Sequence, residues 1–393
     1  MDRNEVICMK FVIAPDSFKE SMTAVEAAEA IEAGFRKVKP DIECDLIPMA
    51  DGGEGTSECF RYGRDARWIK CRIQNPLGEE INTEFLLLPK EKTAIIEAAK
   101  AAGIMLIPQE RRNPALTSTY GVGQMIRVAL EQDVKNIILT LGGTVTNDGG
   151  SGMLQALGAK MLTSDKQSIS AGGYGLAELA EVDLSGPRKL LENVTITVLC
   201  DVTNSLLGEH GATKVFARQK GATEEMIQNL EEAMENYAEI MDRDCGVDFS
   251  TWKGTGAAGG LGYGLLCVSN ARFENGCSYI AKALGVEDKI KTCDYVITGE
   301  GFIDNQSLNG KVPVGIANIA KLYGKPVIVF AGGRSGSQES FYEQGITSVF
   351  TILPGRMNMD ELLRTGKDNL TFTAENFMRL LVTEQNRINA NNI

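Results

Sequence analysis

Five short apolar runs in this chain each end in a turn rich in glycine or in aspartate and asparagine: at 16–21, 51–56, 142–152, 201–204 and 299–311. That recurrence constrains the fold more than any other feature. Glycine and aspartate are common in structural turns, but ligands of open parallel sheets bind just beyond the carboxyl ends of the strands. Five such ends in one chain therefore predict an α/β protein with a ligand site built from strand-end turns. The first unit of the pattern is complete by residue 49. Lys10-Phe11-Val12-Ile13-Ala14 reads as a buried strand stopped by Pro15, and Thr23-Ala24-Val25-Glu26 is a capping box that opens a helix. Val25, Ala28, Ile31, Phe35 and Val38 recur at helical spacing, and a second strand follows at Asp45–Met49.

The pattern then changes. Residues 65–92 alternate apolar and polar positions, which predicts antiparallel strands around a turn at Asn75-Pro76-Leu77-Gly78. Strands are expected at Ile137–Leu141 and Val194–Cys200. A long amphipathic helix capped by Thr223 follows, with Ile227, Leu230, Met234, Tyr237 and Met241 on its apolar face. From Asp294 the strand–helix alternation of the chain start returns, and a last helix runs through Glu375–Leu381 with a fraying polar tail after Arg387. This predicts one domain made from both chain ends, 1–65 plus 290–393, with 66–289 inserted. The residues before Met9 read as a short extension.

Whole-chain chemistry excludes several functions. The formal net charge is −12 over 393 residues, which speaks against nucleic acid or an acidic membrane as partner. No run approaches a membrane-spanning length, and no secretory leader is evident. Nine cysteines without a CxxC pair predict free thiols in a reducing, cytoplasmic setting. His210 is the only histidine; this rules out multi-histidine metal sites, and its Gly-Glu-His-Gly setting reads as an exposed turn.

Chemistry concentrates in residues 298–311, TGEGFIDNQSLNGK, where Glu300, Asp304, Gln306 and Lys311 accompany glycines. Carboxylates and a lysine beside a permissive backbone suit a magnesium-bound polyphosphate; a solvated surface loop is the structural alternative. The 142–152 turn runs into a helix whose free N–H groups can hold an anion, or be capped by Asn147 or Asp148. Named nucleotide signatures are absent: Gly310-Lys311 is followed by Val312, and Asn305 stands where a P-loop would begin. The run GTGAAGGLGYG at 254–264 lacks the context of a dinucleotide fingerprint and is better suited to tight helix packing.

From Met9 to Leu381 the chain resembles the bacterial glycerate kinase family. The residues that carry the resemblance are APDSFKESMTAVEAAEAI, PMADGGEGT, LGGTVTNDGGSGMLQALGA, CDVTNSLLGEHGATKVFARQKGA, GTGAAGGLG and GEGFIDNQSLNGKVPVGIA. It departs from the family's usual pattern at Ser205, Ala217-Arg218 and Phe302. The resemblance implies two α/β domains about a glycine-lined interdomain cleft, one of them a Rossmann-like parallel sheet built from both chain ends. It also implies transfer of phosphate from ATP, with Mg2+, to D-glycerate, leaning to the 2-hydroxyl.

In that reading Asp201, Glu300 and Asp304 are the metal set. Asp51, Asp201, Lys19 and Lys311 carry catalysis, with Asp51 or Asp201 as the base. Asp16, Ser17, Gly52, Gly53, Gly142, Gly143, Asn147, Asp148, Lys220 and Gln306 hold substrate or phosphate. A 3-phosphoglycerate-forming enzyme, a kinase for another hydroxy or sugar acid, a non-catalytic nucleotide or metabolite sensor and, weakest, a dehydrogenase remain as alternatives. The partners expected are small molecules, in a monomer or homodimer.

Overall fold

The computed structural model describes residues 9–246, 248–305 and 307–391. In chain order its strands are β1 (Lys10–Ile13), β2 (Glu43–Leu46), β3 (Arg67–Gln74), β4 (Glu80–Leu88), β5 (Thr93–Glu97), β6 (Asn136–Thr140), β7 (Lys160–Leu162), β8 (Glu181–Asp183), β9 (Thr195–Leu199), β10 (Arg272–Glu274), β11 (Tyr295–Ile303), β12 (Val327–Arg334) and β13 (Ser348–Thr351). The chain separates into two compact units. The first comprises described residues 9–51, 58–62 and 277–391, and the second comprises 52–57 and 63–276. Sequence reasoning places the limits at 65/66 and 289/290. The helix Val286–Thr292 packs in the first unit, against β1 and the helix Val312–Leu322, with Val286 and Ile290 buried. A helix just ahead of a strand carries no local mark of which sheet it covers.

The first unit is one parallel sheet in the order β13-β12-β11-β1-β2. Counted within the unit this is 2-1-3-4-5, a doubly wound order whose switch point lies between β1 and β11. Phe11, Val12 and Ile13 point alternately to opposite faces and all are fully buried, as the continuous apolar run requires of a sheet covered on both sides. On one face the helix Ala24–Arg36 packs on the helix Met359–Asn391, and the Phe35 ring lies 4.9 Å from Phe11 and 6.0 Å from Phe377. The predicted capping box is present: the Thr23 hydroxyl accepts from Glu26 N at 3.2 Å, and Glu26 accepts from Thr23 N at 3.0 Å.

Two expectations change here. The strand-end turn expected from 299 starts later, because β11 continues to Ile303, in register with β12 through Ile303 opposite Arg334. Glu300 therefore stands on a strand; backbone pairing outweighs the glycines on either side of it. The last helix is far longer than 375–381 and continues past Arg387 to Asn391, supported by the Arg379–Glu375 ion pair at 2.7 Å and by buried Leu370, Ala374 and Met378.

The second unit holds a six-stranded sheet in the order β10-β9-β6-β5-β4-β3, parallel from β10 to β5 and antiparallel from β5 to β3. The predicted turn between β3 and β4 is an Asx turn, in which Asn75 Oδ1 accepts from Leu77 N at 2.9 Å and Glu79 N at 3.0 Å. Ile96, Leu139, Val198, Met125, Met153 and Tyr237 lie in its core. The helix Glu224–Cys245 starts at Thr223, as expected, and stops at Gly246 with φ +63°. The 254–264 glycines do pack: Gly149 N donates to Gly259 O at 2.9 Å, and a Cβ at Gly260 would lie 2.7 Å from Gly149 Cα. Every described cysteine is a free thiol. Among the described residues no helix is long and apolar enough to cross a membrane.

Candidate active site at the strand ends

In the first unit three segments leave the sheet side by side at its switch point. Beyond β1, Ala14 N donates to Ile297 O at 2.7 Å and Asp16 N to Gly299 O at 2.8 Å. Beyond β2, Ile47 N donates to Ile13 O at 2.8 Å and Met49 N to Pro15 O at 2.9 Å. The Thr298 hydroxyl closes the group on Ala14 O at 2.7 Å. A Cβ at Gly301 would lie 3.3 Å from Lys19 N, so glycine there lets the Phe18-Lys19 backbone lie close against β11.

This arrangement gathers Asp16, Asp51 and Glu300, with Lys19 and Lys311 beside them. Burial drives the Asp16 carboxyl well above the ordinary carboxylate range, and the Asp51 and Glu300 charges push the same way. The Ser17 amide at 2.6 Å and Lys19 oppose them. Burial likewise pushes Glu300, 5% exposed, up to about 7; Ser307 and Lys311 pull it down, and Asp304 and Asp51 raise it. Burial is the first cause of both shifts and the neighbouring carboxylates add to it, so the site holds protons tightly.

Sequence reasoning missed Ser307. Its hydroxyl donates to Glu300 Oε1 at 2.6 Å and accepts from Asp304 N at 3.2 Å. Its only signal is a serine three residues after an aspartate, which is common in turns. Lys311 is the N-cap residue of the helix Val312–Leu322 and makes no side-chain cap bond. A cation at a helix N-terminus is electrostatically misplaced, as suits a lysine kept for an anion. Gln306 lies outside the described residues.

The second unit holds the remaining expected residues, and at the 142–152 turn it favours the capping alternative. The helix after the 142–152 turn is only Ser151–Ala156, and its leading amides are already bound. Gly150 N donates to Asp148 Oδ1 at 3.2 Å, Gly152 N to Asp148 Oδ2 at 3.3 Å, and Met153 N to the Thr119 hydroxyl at 2.9 Å. Thr119 also donates to Asp148 from its amide at 2.8 Å and its hydroxyl at 2.9 Å. The anion at this helix start is the fully buried Asp148 carboxylate itself, whose pKa burial raises against these bonds.

Lys220, expected at a phosphate, is 3% exposed and donates from Nζ to Thr146 O at 2.6 Å. Burial lowers its pKa to about 8, with the Asp148 charge opposing. Both residues are buried. Asn147 is also buried and donates to the Thr213 hydroxyl at 3.0 Å. The turn's exposed tip is Gly142 and Gly143, while Gly52 is buried and Gly53 half-buried. Asp201, exposed, accepts from Asn275 Nδ2 at 2.7 Å and Gly276 N at 2.9 Å. His210 is exposed in a turn, as expected.

Among the described residues no three acidic, cysteine or histidine side chains gather closely enough to cage a metal ion. Magnesium needs no such cage, because it is commonly held by one or two carboxylates together with water and substrate phosphates. The hard oxygen donors Glu300 and Asp304, close enough for the Asp304 charge to raise the Glu300 pKa, fit that mode.

A doubly wound sheet whose switch point carries coupled carboxyls flanked by lysines defines an α/β protein built to handle a charged small molecule. The chain belongs to the glycerate kinase family: the model of the "Glycerate kinase family" matches residues 11–382. It is 46% identical over 373 residues to a glycerate kinase of Haemophilus influenzae, covering 95% of this chain and 99% of that one. It is 43% identical over 373 residues to the glycerate 2-kinase of Escherichia coli K12, covering 95% and 98%. A crystal structure from Salmonella typhimurium LT2 assigned to glycerate kinase 2 matches with a TM-score of 0.86 at 42% identity, over 96% of this chain and all of that one.

Proposed function

We propose that this chain transfers the γ-phosphoryl group of ATP to the 2-hydroxyl of D-glycerate, giving 2-phosphoglycerate and ADP. The observation that carries the reading is the coupling of Asp16, Asp51 and Glu300 at the β1–β11 switch point, with Lys19 and Lys311 beside them. Phosphoryl transfer asks little covalent chemistry of a protein; it asks for positioning and for neutralisation of charge. Lys19 and Lys311 are assigned to the phosphates, and Ser17 and the backbone amides around Gly52, Gly53, Gly142 and Gly143 to hydrogen bonds with anionic oxygens.

Glu300 and Asp304 would hold Mg2+, which when bound offsets phosphate charge. Of the two carboxylates expected as base, Asp51 couples to both Asp16 and Glu300, and we assign it to accept the glycerate hydroxyl proton. Asp16 then orients the acceptor. Asn147, Asp148 and Lys220 support the turn that carries Gly142 and Gly143. The two compact units are proposed as the two domains. The free thiols support a cytoplasmic, reducing location, and the assembly is proposed as a monomer or homodimer, which light scattering would distinguish.

Phosphorus NMR of the purified protein with ATP, magnesium and D-glycerate tests the proposal. A 2-phosphoglycerate resonance is expected. A 3-phosphoglycerate resonance would keep the kinase and overturn the position; no phosphoglycerate, with ATP bound, would overturn the acceptor.

A further inference from the structure

Glu97 stands at the last position of β5, 3% exposed, and no role above uses it. Its Oε1 accepts from the Ser57 amide at 2.7 Å, across 40 residues of chain. Ser57 is buried too, in the first turn of the helix Thr56–Arg61, directly after the glycine turn 52–55. The Thr56 hydroxyl donates to Gly53 O at 2.8 Å and closes that turn onto the helix start. The turn is also crowded: a Cβ at Gly52 would lie 2.9 Å from Gly276 Cα, and one at Gly142 would lie 3.3 Å from Gly53 Cα.

Crowding limits a backbone without aiming it, whereas a hydrogen bond to a fixed carboxylate has a direction. Glu97 is fixed, because every residue of β5 is buried and Glu97 pairs in register with Thr140 of β6. A carboxylate buried in such a place is costly unless strongly hydrogen-bonded.

We infer that Glu97 is a positioning residue: from the end of β5 it sets the glycine turn 52–55 through the Ser57 amide, holding that turn's N–H groups for phosphate. The functional half rests on the kinase reading; the anchoring half does not.

The test compares Glu97→Ala, Glu97→Asp and Glu97→Gln in the full chain, reading amide hydrogen exchange over 52–57 beside steady-state kinetics. Loss of a hydrogen bond to a charged group corresponds to roughly ten- to hundredfold faster local exchange. Glu97→Ala is expected to show that, with kcat/KM for ATP at least about tenfold down and the unfolding midpoint of the rest of the chain kept. Glu97→Asp, one methylene short of Ser57, is expected to follow it, and carries the test if the alanine variant does not fold. Glu97→Gln keeps an acceptor for the Ser57 amide, so it is expected to restore protection and activity.

Unchanged exchange at 52–57 in the alanine and aspartate variants would overturn the anchor. Released exchange with wild-type kinetics would overturn its importance for the reaction, and a glutamine variant as impaired as alanine would overturn the hydrogen-bond account. A wild type inert toward D-glycerate would overturn the kinase reading separately, while exchange at Ser57 would still decide the anchor.

Discussion

The Ser307 hydroxyl donates to Glu300 Oε1 at 2.6 Å, with both side chains buried. Asp304 sets Ser307 in turn, since its Oδ1 accepts from Ser307 N at 3.3 Å. A hydrogen bond to a charged group is worth roughly 1.5–3 kcal/mol. Ser307→Ala is therefore expected to lower kcat/KM about ten- to hundredfold at limiting Mg2+, with partial recovery at high Mg2+. Calorimetric titration with Mg–ADP provides a second readout. A variant with wild-type metal dependence would count against Glu300 as a magnesium ligand.

Glu300 also predicts the sign of a pH effect. Its folded pKa of about 7 lies above the ordinary 4.5, so between those values the folded state binds more protons than the unfolded chain. Stability from this group is full below about pH 4.5 and is lost as pH rises toward 7. Melting temperature measured across that window is expected to fall less steeply with pH in Glu300→Gln than in wild type. Parallel slopes would show that the carboxyl is not perturbed.

Lys220 and Asp148 are buried groups of opposite charge, and the Asp148 charge raises the Lys220 pKa against the burial that lowers it. Breaking one partner of a buried pair typically costs about 3–5 kcal/mol, because the other charge is left uncompensated. Lys220→Met alone is expected to show a loss of that order in urea unfolding. Lys220→Met with Asp148→Asn is expected to lose less than the sum of the single changes, and strict additivity would refute the coupling.

Lys311 should behave differently. It is half-buried at a helix N-cap, makes no cap bond, and opposes the helix dipole. Lys311→Met is expected to leave the unfolding midpoint unchanged or slightly raised while reducing kcat/KM on the order of a hundredfold. Unchanged turnover would remove Lys311 from the site.

Local patterns that repeat with the period of a helix or strand were legible in residue order. Thr23 and Glu26, Thr223, the Asn75 turn and the buried β1 run all stand where spacing and cap chemistry put them, because each depends on neighbours within four residues. The strand-end turns were legible for the same reason. Burial was not. Lysine is almost always exposed, so Lys220 reads as a free cation until the fold covers it. Asp148 reads equally well as a ligand or a cap until Thr119 arrives from 29 residues away.

By itself, then, residue order determined the alternation of strands and helices, the turns that carry acids and lysines, and the family resemblance. Tertiary structure alone decided that β1 and β11, nearly 300 residues apart, lie side by side and make a switch point of Asp16 and Glu300. It also decided that Glu97 meets Ser57 and that Ser307 meets Glu300. The physical reason is range: caps and turns are settled by hydrogen bonds within a few residues, whereas pKa, burial and partnership follow from which distant segments pair in a sheet, and a single residue carries no mark of its partner.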